Sequence, residues 1–99
     1  MISRHWRAIA KRSSADGYVS HLKAETFPQL SRIPGFFEAS ILRRTVPEGI
    51  EYRIVTTWES IEAIRQFAGD NLEHAVVPEK VQEMMITYDR TVDHYEVIE

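Results

Sequence analysis

Histidines, tryptophans and an adjacent arginine pair are the side chains of this sequence best suited to chemistry. The histidines stand at positions 5, 21, 74 and 94, and no cysteine accompanies them. A metal site draws ligands three or four residues apart on a helix, or at alternate positions on a strand. No two of these histidines have that spacing, and Asp93 and His94 are neighbours that a strand would turn to opposite faces. The pattern points away from a metal centre. Without cysteine there are also no thiolate zinc sites, disulfide scaffolds or cysteine nucleophiles.

Proton transfer is the chemistry that remains, because imidazole gains and loses a proton near neutral pH. His74 falls in the irregular stretch 70–77 between two expected helices, where a loop over a sheet often borders a ligand cavity. There it suits removal of a proton from an acidic phenol, or ligation of a haem iron; an exposed helix-flanking histidine is the plainer alternative. His21, beside Leu22 on an expected helix, reads as facing solvent. Trp58 closes a strand. It either offers a flat ligand a stacking face and an indole N–H, or seals the strand-to-helix junction as core. Trp6 and Tyr52 carry the same two readings. Arg43-Arg44 is the densest basic spot. It is too short to track a phosphate backbone, so nucleic acid is not an expected partner. The glycines form no phosphate loop, the serines no nucleophile elbow, and Glu59, Glu62 and Glu73 read as solvated.

Hydrophobic periodicity places the elements that must position these groups. Alternation over 2–10 predicts a first strand, with Ile2, Arg4, Trp6 and Ala8 on one face and Ser3, His5, Arg7 and Ile9 on the other. A helix begins near Ser14 or Asp16, with Val19, Leu22, Thr26 and Leu30 as its buried stripe, and Pro28 should kink or stop it near Phe27. Pro34-Gly35 marks a turn into a strand over 36–46, in which Phe37, Ala39 and Ile41 oppose Phe36, Ser40 and Leu42. Pro47-Glu48-Gly49 connects it to a strand over 51–58. Ser60 caps a helix buried through Ile61, Ile64, Phe67 and Ala68, and Gly69 ends it. Pro78 opens another helix with Val81, Met84, Met85 and Tyr88 on one side, and a last strand covers 91–98. The order matches the split βαβ, ferredoxin-like α+β arrangement: a four-stranded antiparallel sheet with helices on one face.

On every strand large apolar groups lie on both sides. A sheet covered on one face normally turns a polar face outward, so the second face is expected to pack against a second copy in a homodimer. His94 and Tyr95 then divide between the two faces, and the plainer reading puts a hydrogen-bonded His94 in the dimer interface. At 99 residues the chain fits a single domain over 1–99, and its 43% hydrophobic and 27% charged content with net charge −3 is an ordinary soluble balance. A charged N-terminus and the lack of a long apolar run predict a cytoplasmic protein away from membranes.

Over nearly its whole length the chain resembles the antibiotic biosynthesis monooxygenase-like family of dimeric α+β barrels. The resemblance is carried by Met1-Ile-Ser-Arg-His-Trp-Arg7, Ile33-Pro-Gly-Phe36 with Leu42-Arg-Arg44, Thr57-Trp-Glu-Ser60 with Ala63-Ile-Arg-Gln-Phe-Ala-Gly69, Glu73-His-Ala-Val-Val-Pro78 and Val92-Asp-His-Tyr-Glu-Val97. It implies a cofactor-independent monooxygenase acting on an aromatic or polyketide-like small molecule. His74 and Trp58 would then be catalytic, with Trp6, Tyr52, Phe67, His94 and Arg44 around the substrate. The haem-degrading branch carries an asparagine on the first strand, a tryptophan on the second helix and a histidine soon after. Those positions hold His5, Phe67 and a differently spaced His74, so the resemblance does not extend to haem degradation. The alternative is a non-catalytic dimeric module that binds a small hydrophobic ligand or haem.

Overall fold

The computed structural model describes residues 1–99. β1 (Ile2–Ala10) sits inside an antiparallel sheet, between β3 (Ile50–Trp58) on one side and, on the other, two short strands in succession. β4 (Met85–Tyr88) pairs with Ala8–Ala10, and β5 (Asp93–Glu96) with Ile2–His5. With β2 (Phe36–Thr45) outside β3, the sheet has five strands in the order β2-β3-β1-β4, and β5 shares the β4 edge. The ferredoxin-like expectation holds, its fourth place being divided between two strands.

Alternation assigns the faces. Arg4, Ala8 and Ala10 of β1 and Tyr52, Ile54, Thr56 and Trp58 of β3 are buried under the helices. His5, Arg7, Arg53 and Thr57 occupy the open face. β2 departs from simple alternation. Phe36 opposes Trp58 but Glu38 opposes Thr57, so Phe37 is a bulge and is 55% exposed. The extra residue brings Phe36 and Ile41, an odd number apart, to the same helix-covered face. Period-two reading had separated them.

The first helical region does not stop at Phe27. It runs from a 3₁₀ turn (Arg12–Ser14) through α1 (Ala15–His21) and a π-helical turn (Leu22–Thr26) into α2 (Phe27–Leu30). In the wide turn the Phe27 amide bonds to the Leu22 carbonyl, five residues back. Pro28 then stands at the start of α2, where a missing amide costs little. The buried stripe also differs from the expected one. Ala15, Tyr18, His21, Leu22 and Leu30 face inward, whereas Thr26 and Val19 are half-buried. His21, read from sequence as facing solvent, is 8% exposed.

α3 (Ile61–Ala68) begins where the Ser60 hydroxyl accepts the Ala63 amide at 3.3 Å, and Gly69 ends it at φ 78°. It buries Ala63 and Ile64 against Trp58 and Leu30. α4 (Glu79–Met84) follows Pro78 and is shorter than expected, because Met85–Tyr88 leaves the helix to become β4. The Ala8–Ala10 edge of β1 would otherwise hold unpaired backbone groups, and Ile86-Thr87-Tyr88 suits a strand. The final strand spans 93–96 rather than 91–98. No helix is long and apolar enough to cross a membrane.

Gly35 makes the turn before β2 at φ 93°, and a Cβ there would lie 2.8 Å from the Ala63 Cβ. Gly35→Ala is expected to cost about 1–3 kcal/mol, as a lower urea midpoint at an unchanged slope.

Candidate functional site

The helix-covered face of the sheet does not pack solidly everywhere. A cavity of about 80 Å³ remains between β1 and β3 below and the helical run above. Arg4, Trp6, Ile54 and Thr56 form its floor; Tyr18, His21, Leu22 and Phe27 form its roof. Phe67 of α3 and the segment 75–78 close the sides. The lining is mostly apolar, so the few polar groups that reach it determine what it can do.

His21 is the first of these. Its Nδ1 is 3.1 Å from Glu25 Oε2, one turn along, while its Nε2 is buried and has no hydrogen-bond partner. With Nδ1–H donated to the carboxylate, Nε2 is left unpaired in a mostly apolar surrounding. A buried polar atom left unpaired costs stability, and such atoms are uncommon in folded proteins. Glu25 is half exposed and also accepts from Lys80 Nζ at 2.9 Å. The Lys80 hydrogen bond, and then that of His21, hold its carboxyl below the usual range, so it stays ionised at neutral pH.

Arg4 is the second. It is 5% exposed, and burial lowers its pKa to about 10. Nη1 donates to the Leu72 carbonyl at 2.7 Å and meets His94 Nε2 at 3.0 Å, and Nη2 donates to the His74 carbonyl at 2.9 Å. The guanidinium lies 5.7 Å from the Phe67 ring centre. Arg4 therefore ties β1 to β5 and to the loop that closes the cavity.

The residues singled out from sequence are distributed unevenly around this site. Trp6 and Phe67 line the cavity; Trp6 also donates its indole N–H to the Asp89 carbonyl at 2.6 Å. Trp58 is fully buried outside it, edge-on to Phe36 at 5.2 Å, with its N–H donated to Thr56 Oγ1 at 2.8 Å. Tyr52 is fully buried too, and its hydroxyl donates to the Ala15 carbonyl at 3.0 Å. His74 has an exposed side chain outside the cavity and contributes only its backbone, in a bridge to Thr91 and as an acceptor for Arg4. Arg44 lies on the open face, bonded to Glu51 at 3.1 Å, so the sheet separates it from the cavity. His94 is on the helix-covered side against Arg4, not in an interface on the open face, where Tyr95 stands instead. His21, Arg4, Thr26 and Thr56 are the polar residues of the lining that the sequence reading did not assign to the site. For His21, a helical stripe started at Ala15 and Tyr18 rather than at Val19 would have turned the residue inward.

Burial and the nearby Arg4 charge both lower the His94 pKa, outweighing Glu73 and Asp93, which raise it. The unfolded chain therefore takes up the proton first, and the stability that His94 contributes is present above about pH 6.5 and lost as pH falls through its lower folded value. The wild-type melting temperature is expected to drop between pH 7.5 and 5.5. His94→Gln, which keeps an acceptor for Arg4, should lessen that drop; an equal drop in the variant would remove His94 from the account.

No protein-family profile matches the sequence, and no curated protein matches it. Solved structures do match. A protein described as a candidate antibiotic biosynthesis monooxygenase from Bacillus cereus superposes with a TM-score of 0.69 at 20% identity, over 100% of this chain and 93% of that one. SnoaB, a cofactor-independent oxygenase from Streptomyces nogalater, gives 0.70 at 18% identity, over 99% and 93%. The haem degrader MhuD of Mycobacterium tuberculosis, solved with two haems in its active site, gives 0.60 at 22%, over 99% and 96%. The sheet order, the one-sided helices and the cavity between them define a ferredoxin-like α+β protein. Its fold is that of the antibiotic biosynthesis monooxygenase-like structures, as the sequence resemblance implied.

Proposed function

We propose that this protein is a cofactor-independent oxygenase acting on a small aromatic or polyketide-like molecule held in the cavity above β1 and β3. The observation that carries this reading is the buried, unpartnered Nε2 of His21, with Nδ1 anchored on Glu25. That arrangement suits a general base, which needs a free lone pair, a fixed ring and an apolar surrounding. The role that sequence reasoning gave to His74 passes to His21.

The substrate would give a proton to Nε2 and become a delocalised carbanion or phenolate, with Arg4 supplying positive charge near the floor of the cavity. Dioxygen reacting at an activated CH₂ would place one oxygen on carbon as C=O and leave with the two hydrogens as water. Trp6 and Phe67 would shape the pocket and exclude solvent. Trp58 would support it from the core.

Haem does not fit this site. Ligand pockets for larger molecules generally run to about 300 Å³ or more, against about 80 Å³ here. The fold includes both a cofactor-independent oxygenase and a haem degrader, and the His21 geometry favours the former.

The test is oxygen uptake with single-ring phenols, and with naphthols and anthrones as larger size controls, in wild type and His21→Gln. Turnover lost in the variant supports the reading. A ligand-dependent rise in melting temperature with no oxygen uptake from any substrate would replace it with the non-catalytic binding module. Pairing with a second copy is part of the same reading. Phe37, Leu42 and Tyr95 are each more than half exposed, and a sheet face bearing such groups favours a partner. Sedimentation as a single chain at micromolar concentration would count against it.

A further inference from the structure

The cavity has two unmet demands at once, and together they specify a ligand class. Arg4 is a buried cation with no carboxylate partner: the ion pairs of the chain join Arg7, Arg44 and Arg53 to Glu51, His21 and Lys80 to Glu25, and Arg65 to Glu62 and Asp70, and none includes Arg4. Carbonyl oxygens, an imidazole nitrogen and the face of Phe67 surround it, and these are dipoles and a quadrupole rather than a counter-charge. A desolvated charge without a partner is costly, which is why buried arginines are normally neutralised. His21, another residue of the cavity wall, has a buried Nε2 without a hydrogen-bond partner. The contrast with the open face is instructive, since there one carboxylate, Glu51, serves three arginines.

We infer that the cavity binds a planar organic monoanion about one aromatic ring in size, with its anionic oxygen completing the charge of Arg4 and an O–H donating to His21 Nε2. Hydroxylated aromatic acids and enolised ring ketones have both features. The inference rests on the reading of this cavity as the substrate site and narrows it to single-ring weak acids, because the space is about 80 Å³. Arg4 acts as the counter-ion and His21 as the group that receives the proton.

Calorimetric titration of the full chain at pH 7.5 with benzoate, benzamide and 3-hydroxybenzoate tests this without needing turnover. Benzoate and benzamide have nearly the same shape and differ in charge, so benzoate is expected to bind at least about tenfold more tightly, in keeping with a charge-assisted hydrogen bond. Arg4→Met should remove that preference. The added hydroxyl of 3-hydroxybenzoate should improve binding to wild type and not to His21→Leu, which keeps the preference for benzoate over benzamide. Arg4→Met also loses the bonds to the Leu72 and His74 carbonyls, so a second measurement uses the wild type alone: benzoate should shift the Arg4 guanidinium nitrogen resonances and benzamide should not.

Equal affinity for benzoate and benzamide, or an unmoved Arg4 resonance, overturns the inference. Loss of oxygen uptake with the anion preference intact would sink only the oxygenase reading. Oxygen uptake that tracks neutral substrates alone would sink only this one.

Discussion

His21→Leu is expected to make the folded protein more stable and, if the proposed oxygenase reading holds, to slow oxygen uptake strongly. Leucine removes the buried Nε2 that has no partner and fills the same inward position with an apolar side chain. Relief of one unsatisfied buried atom is worth about 1 kcal/mol or somewhat more, or a rise in melting temperature of about 4–8 °C for a domain of this size. The hydrogen bond lost to half-exposed Glu25 offsets little of that. If Nε2 is the base, turnover should fall by about 10²–10⁴-fold. A gain in stability paired with a loss of activity marks a group held in place for function. A variant that is both less stable and fully active would show that the imidazole is only packing. Glu25→Gln gives a finer test. An amide can donate to Nδ1 and force the ring proton onto Nε2, so the rate should fall although the fold is little changed.

Trp58→Ala has the largest expected effect on folding. The indole is fully buried, packs on Phe36 and lies nearly parallel to Phe67 at 6.1 Å between ring centres. Truncating such a side chain costs about 3–5 kcal/mol, out of a total stability of about 5–15 kcal/mol. The variant should be largely unfolded near 37 °C or at low urea. Thr56→Val probes the same residue more gently: it leaves the indole N–H without its acceptor, at a cost of about 1–3 kcal/mol. Trp58→Phe should lose stability yet retain turnover, because the indole supports the cavity without lining it. Activity lost from a well-folded Trp58→Phe protein would return the tryptophan to the reacting centre.

The fold was largely legible because apolar groups recur with clear periods on β1, β3 and α3. Where a single residue changed the phase, the period misled. The bulge at Phe37 moved Phe36 beneath the helices, the π turn at Leu22–Thr26 carried the helix past Pro28, and His21 proved to lie on the buried stripe of Ala15 and Tyr18. Met85–Tyr88 satisfied a helical pattern as well as a strand pattern, and the open edge of β1 decided between them. These features are settled by long-range pairing, which no local window contains.

For the candidate site the division is sharper. Residue types offered histidines suited to proton transfer and no spacing suited to a clustered metal centre, and the resemblance implied a ferredoxin-like sheet beneath them. Which histidine would carry it could not be read along the chain. His74 looked suited because loops border cavities, yet its side chain faces out, while His21 looked like a surface residue and is buried. Amino-acid identity determines what a side chain can do. Which side chain loses its water and faces an empty space depends on how remote segments close over it, and here that meant β1, the π turn and the 75–78 segment meeting around Arg4 and His21.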